Sequence, residues 1–190
     1  MALPWAEAGY QCYCVDVDQE VDPEQRVNHE NIEFVEADIH KYLPPRAEYK
    51  AVFAFPPCTN VAVSGARWFK DKGLNGLASA IQNFERARQI IEWAEPDTWF
   101  IENPKSTLST YWRKPDEKFD PCDFHGYTER DEAYTKETWL WTSDSFQLPE
   151  EKPADEVDDR IHKMPPSEDR GRMRSKTPLG FSRAVYQANE

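Results

Sequence analysis

Two stretches of this chain set a reactive side chain against proline: "FPPCT" at residues 55–59 and "FIENP" at residues 100–104. A cysteine thiolate adds readily to electron-poor carbon. A carboxyl group beside it supplies a proton or hydrogen bond where charge develops on the attacked molecule. Cys58 is therefore the candidate nucleophile, and Glu102 is an acid at the end of a later strand. Pro57 fixes its own backbone torsion and Pro56 biases its neighbour to extended geometry, so the thiol sits on a stiff corner rather than a mobile loop. The competing reading of Cys58 is packing, since free cysteine is among the most buried residue types. Glu102 alone could be a capping or ion-paired acid, but an unpaired carboxylate at the end of an apolar strand is costly to bury, which favours a site.

The surrounding pattern predicts the elements that hold these groups. Residues 2–8 read as a short helix ending at Gly9, and residues 11–17 alternate as a strand. A second short strand falls at 32–35, and a third at 50–55 is apolar on both faces, as a buried parallel strand should be. After a loop over 56–73, Leu77, Ile81, Phe84, Ala87, Ile90 and Ile91 have the spacing of an amphipathic helix. "TWFIENP" is another buried strand, "YTKETWLWTS" a later one, and "TPLGFSRAVYQANE" a closing helix with Pro178 near its first turn. Strands alternating with helices predict a mostly parallel α/β sheet with ligands at the carboxyl ends of its strands, where Asp16, Asp18, Cys58 and Glu102 fall. Residues 147–175 are dense in proline and charge and read as a surface excursion from a single domain spanning 1–190.

Composition narrows the class. A chain of 190 residues, 39% hydrophobic and 13% aromatic, holds enough large apolar groups for one core. No apolar run approaches a bilayer-spanning length and the first residues lack the basic flank and long apolar stretch of a signal peptide, so a soluble, cytoplasmic protein with reduced thiols is expected. The net charge of −12 repels nucleic acid unless the basic groups cluster. Those groups are Arg67, Lys70 and Lys72 beside Cys58, Lys105 after Glu102, Arg113, Lys114, and the run Arg170, Arg172, Arg174 and Lys176. Cys122 with His125 makes at most half of a zinc site, and both lie on a segment the sheet otherwise explains, so no metal is expected. Trp68, Phe69, Trp139 and Trp141 are of the type that stacks on bases, although most aromatics are core.

In order, strand context and spacing, "FPPCT" followed one helix and one strand later by "FIENP" resembles the cytosine-5 DNA methyltransferases. The resemblance implies a Rossmann-like, S-adenosylmethionine-dependent methyltransferase sheet with helices on both faces. It implies that Cys58 adds to carbon 6 of cytosine and that Glu102 relieves charge at ring nitrogen 3. Pro56 would lie on the cofactor side of the corner, and Pro57, Asn103 and Arg67 on the substrate side. "AGYQCYCVDVD" resembles the segment whose acid binds the cofactor ribose, giving Asp16 first and Asp18 second. "EFVEADI" resembles the strand whose acid approaches the adenine amine, giving Asp38. "CDFHGYTERDEAYTKETWLWT" is similar to a later motif that contacts the base and phosphate, with Lys136 and Thr138 where arginines are usual. The family opens with a further strand and a glycine turn, so either Met1 is an internal start or this is a reduced member whose sheet is truncated at its N-terminus and whose cofactor binds weakly. The implied activity is methyl transfer to carbon 5 of cytosine in DNA, in a compact protein of phage or mobile-element type that binds DNA weakly or as a single strand. The alternatives are the same chemistry on a free nucleotide or unusual base, and an impaired fold whose acidic surface binds a protein partner.

Overall fold

The computed structural model describes residues 1–17, 27–165, 167 and 170–190, and Asp18 lies outside them. The chain opens with helix α1 (Ala2–Glu7), which stops where Gly9 turns to φ 95°, a conformation that side chains disfavour. Strand β1 (Cys12–Asp16) pairs in parallel with β2 (Ile32–Glu36). Strand β3 (Ala51–Ala54) then leads through the Cys58 corner and a 3-10 helix (Val63–Trp68) into α2 (Phe69–Ala94). Much of the expected loop over 56–73 is thus helical. Gly73, at φ 61° and ψ −166°, interrupts α2, and the amphipathic body predicted from the apolar spacing follows it. Helix α2 ends at Glu95 in the left-handed conformation, its N–H returning to the Ile91 carbonyl at 3.0 Å.

Strand β4 (Thr98–Pro104) and the short helix α3 (Leu108–Tyr111) follow. Next come β5 (Glu117–Phe119), a second 3-10 helix (Pro121–Tyr127) and β6 (Thr138–Thr142). Three helices close the chain: α4 (Arg160–Lys163), α5 (Arg170–Ser175) and α6 (Leu179–Asn189). β3 and β4 pair in parallel, but β6 runs antiparallel to β4 and β5 antiparallel to β6, in the order β3-β4-β6-β5. The sheet is therefore mixed rather than mostly parallel. The connection from β4 to β6 carries no long crossover helix, and a parallel pairing would require one.

Neighbouring residues of a strand point to opposite faces, and both faces of this sheet are covered. On one, Ile101, Trp139 and Trp141 pack with Ala80, Phe84 and Ile91 of α2. On the other, Phe100 and Leu140 pack with Phe181 and Val185 of α6. Each large side chain buried this way contributes about 1.5–3 kcal/mol, so β4 and β6 are the rigid centre. Helices on both faces agree with the expected fold class. The start of α6 is held by Glu132, whose buried carboxylate accepts the N–H groups of Leu179 (2.7 Å) and Gly180 (2.8 Å). The charged stretch over 147–175 contains α4 and α5, and its first part is tied down: Lys152 donates to the Asp123 carbonyl at 2.8 Å and Ala154 to that of Cys122 at 3.0 Å. No helix among the described residues is long and apolar enough to cross a membrane.

Candidate active site

The carboxyl ends of the parallel strands β3 and β4 bring the two proline-flanked motifs together. The Cys58 carbonyl accepts the N–H groups of Val61 (3.0 Å) and Ala62 (2.9 Å), which rolls the chain into a tight turn directly after the thiol. That turn is stitched to the backbone beyond Glu102. Val63 N–H donates to the Lys105 carbonyl at 2.9 Å, Thr107 N–H donates to that of Val61 at 3.0 Å, and Ala62 faces Ser106 in an antiparallel bridge. Asn103, 1% exposed, donates from Nδ2 to the Pro56 carbonyl at 3.0 Å. The proline corner cannot move without breaking a buried hydrogen bond. Lys72 reaches back from α2 to donate to the Thr59 carbonyl.

The electrostatics couple Cys58 to Glu102. Burial pushes the Cys58 thiol above its ordinary range, and the Glu102 carboxylate pushes it the same way. Lys136, the thiol's own backbone N–H and Arg174 oppose them. Glu102 is likewise pushed up by burial, with the Lys136 ammonium opposing. Lys136 is therefore the cation shared by thiol and carboxyl. Its position is set from both sides: its backbone N–H donates to the Asp120 carboxylate, and its carbonyl accepts the Thr138 hydroxyl at 2.8 Å. Glu102, Lys136 and Thr138 line one cleft, walled by Phe55, Phe119 and Thr177–Pro178. A carboxyl shifted in this direction keeps its proton more readily than an exposed one.

The other sequence-derived candidates are distributed more widely. Pro57 is exposed beside the thiol, and Arg67 is exposed on the first 3-10 helix, its guanidinium 5.2 Å from the Trp68 ring. Asp16 closes β1 and Asp38 follows β2, so both acids sit at the carboxyl ends of one parallel pair. The Asp16 carbonyl accepts Ala37 N–H at 2.9 Å, and the Asp38 carboxylate accepts His40 N–H at 2.9 Å. Cys122 is buried with its thiol pushed up to about 11 by burial and the neighbouring Asp123 and Asp120. Arg174 and the Thr177–Pro178 wall were absent from the site inferred by sequence. They arrive from the charged C-terminal stretch, and no local spacing ties them to residues more than seventy positions earlier.

The sequence matches no protein-family model and no curated protein. Its structure is similar to the crystal structure of an E. coli prophage-encoded protein proposed to be a DNA modification methyltransferase, with a TM-score of 0.55 at 14% sequence identity. The likeness covers 87% of this chain and 52% of that one, so the chain spans about half the length of that structure. The chain has a methyltransferase-like α/β fold. Within this fold the parallel pairs β1/β2 and β3/β4 present Asp16, Asp38, Cys58 and Glu102 at strand ends, the positions at which open α/β sheets bind ligands.

Proposed function

We propose that this chain forms the catalytic part of a DNA (cytosine-5) methyltransferase that uses S-adenosylmethionine. The observation carrying this reading is the stitched Cys58–Glu102 pair, with the Lys136 ammonium acting on both groups. Cytosine carbon 5 is too weak a nucleophile to take a methyl group unaided. The Cys58 thiolate forms a bond from Sγ to carbon 6, and the electron pair of the 5,6 double bond moves to carbon 5. Glu102 donates a hydrogen bond or proton at ring nitrogen 3, limiting the charge that builds on the ring, and Lys136 favours the thiolate before attack. When bound, S-adenosylmethionine would supply an electrophilic methyl group for carbon 5. The carbon 5 proton would then pass to solvent water, and the electron pair of that C–H bond would re-form the 5,6 double bond as the Cys58 thiolate leaves.

The residues at the cofactor side fit its sugar and base. Asp16 and Asp38 are acceptors at adjacent strand ends, suited to two ribose hydroxyls and an adenine amine respectively. A duplex base hides carbon 6 in the stack, and extruding it costs a few kcal/mol. The chain's charge of −12 offers little general attraction to offset that cost, so an unpaired or mismatched cytosine is the favoured substrate. The test is transfer of a labelled methyl group from S-adenosylmethionine to single-stranded DNA. Label should enter oligonucleotides containing cytosine and not ones in which every cytosine is already 5-methylated. Equal incorporation into both would overturn the assignment of carbon 5.

A further inference from the structure

The chain is acidic overall, but its charge is not spread evenly. Residues 59–72 and 105–114, which follow Cys58 and Glu102 respectively, hold six basic side chains and one acid, Asp71, in a protein of net charge −12. Arg67, Lys70, Lys105 and Lys114 are exposed and enter no ion pair among the described residues. The two segments next to the reactive groups therefore attract an anionic polymer that the rest of the surface repels.

The same segments expose aromatic rings. Trp68, 52% exposed, ends a 3-10 helix with no buried residue, and the Arg67 guanidinium stands over its ring at 5.2 Å. Tyr111, 57% exposed, ends α3. Among the described residues neither ring packs on another, whereas Trp112 is wedged against Phe84 at 5.4 Å and Trp141 at 6.2 Å. The Trp141 indole N–H donates to the Arg113 carbonyl at 2.8 Å, and the Arg113 guanidinium donates to the Thr142 carbonyl at 3.1 Å. Tyr111 is thus carried by backbone already fixed to the core, and a ligand stacking on it has little ordering left to impose.

The bridge that stitches the two motifs together sets where these rings go. Its pairing is antiparallel, with Val63 beside Lys105 and Thr107 beside Val61, so the 3-10 helix and α3 depart from opposite ends of it. The 3-10 helix rises about 10 Å and α3 about 6 Å, which with the bridge itself separates the two rings' backbones by at most about 25 Å. Cys58 and Glu102 precede the two arms of that bridge.

We propose that Trp68 and Tyr111 are base-stacking platforms for a single DNA strand that crosses the Cys58–Glu102 site, with Arg67, Lys70, Lys105 and Lys114 taking its phosphates. The strand held between the rings is about six or seven nucleotides long, at about 3.4 Å per stacked nucleotide. Every base has a face to stack, so the platforms hold the strand with little preference for its sequence. In an intact duplex the flanking bases already stack on one another, and the rings gain nothing. The inference rests on the nucleic-acid part of the proposed function and not on methyl transfer.

The probe is a fluorescein-labelled oligothymidylate of about twelve nucleotides with one central cytosine, titrated with the full chain without cofactor and followed by anisotropy. Trp68→Ala and Tyr111→Ala should each weaken binding about five- to hundredfold, and Trp68→Phe much less, with far-ultraviolet circular dichroism unchanged. With abasic sites in place of the thymines, the wild type should weaken at least as much, and the alanine variants should lose little more. The logarithm of Kd should rise with that of salt at a slope of about 3, four phosphates at about 0.7 each, and Lys114→Ala should lower the slope by about 0.7. Binding undetectable at millimolar protein, alanine variants that bind as the wild type does, or alanine and abasic losses that simply multiply would overturn the platforms. A duplex of the same sequence bound as tightly would overturn the single strand as their occupant. Ring-dependent binding without transfer of a labelled methyl group would support the platforms and overturn the proposed activity alone; transfer unaffected by either alanine variant would overturn the platforms alone.

Discussion

Replacing Gly180 by alanine should unseat the helix that closes the cleft beside Glu102. A Cβ at this position would lie 2.3 Å from the Phe124 carbonyl oxygen and 3.2 Å from the Glu132 carboxylate. Ordinary contact needs about 3.5 Å, so the start of α6 must retreat by about 1 Å from backbone that is itself packed in the core. Overpacking of this kind costs about 1–3 kcal/mol. The retreat also stretches the two hydrogen bonds from Leu179 and Gly180 to the Glu132 carboxylate, and charge-assisted bonds contribute about 1.5–3 kcal/mol each. With partial relaxation the sum is about 3–5 kcal/mol, a large share of the usual 5–15 kcal/mol total. For a domain of this size that lowers the melting temperature by roughly 6–20 °C. The assay is thermal and urea unfolding by circular dichroism, with Gly171→Ala as the control. Gly171 has no atom within 4 Å of its ideal Cβ and lies in α5, so alanine there should be neutral or slightly stabilising. A Gly180→Ala protein within about 0.5 kcal/mol of the wild type would refute the packing argument.

Three further outcomes follow from the site. Burial raises the Glu102 pKa in the folded protein, so folding is favoured while the group is protonated, and that advantage is lost as pH rises from the ordinary carboxylate range through the raised one. Glu102→Gln should therefore increase stability at pH 8 and lose that gain towards pH 4, as measured by urea midpoints at both values. Removing the Glu102 charge also lowers the Cys58 pKa while removing the Lys136 charge raises it, so at pH 8 iodoacetamide should alkylate Cys58 faster in Glu102→Gln and more slowly in Lys136→Met. Asn103→Leu deprives the Pro56 carbonyl of its donor and should cost about 1–3 kcal/mol in urea unfolding while slowing any reaction of Cys58 with DNA.

The parts of the fold legible in the sequence were those whose signal is local. The 3.6-residue spacing from Leu77 to Ile91 located the body of α2, and the apolar run ending in Glu102 located β4. Gly9 marked the end of α1, and Pro178 marked the start of α6, where it stands as the N-cap. Three-residue β5 carries no periodicity, and nothing local in "TWLWT" tells that β6 runs against β4. That direction is set by the path of the long connection between them, which carries α3, β5 and a 3-10 helix but no long crossover helix, not by the strand itself. Cys58 and Glu102 drew attention because Cys58 follows a pair of prolines and Glu102 lies two residues before Pro104, each near a strand end. The Asn103 bond to Pro56, the Glu132 cap on α6 and the influence of Arg174 on Cys58 join residues 47, 48 and 116 positions apart, distances over which one sequence offers no spacing rule.

The most direct test of the central claim is covalent capture at Cys58. Single-stranded DNA containing 5-fluorocytosine, whose fluorine cannot leave as the carbon 5 proton does, is incubated with the protein and S-adenosylmethionine and analysed by denaturing electrophoresis and peptide mass spectrometry. The account predicts a denaturation-stable adduct joined through the Cys58 sulfur, absent in Cys58→Ala and slowed in Glu102→Gln. An adduct that persists in Cys58→Ala, or one joined through Cys12, Cys14 or Cys122, would contradict it.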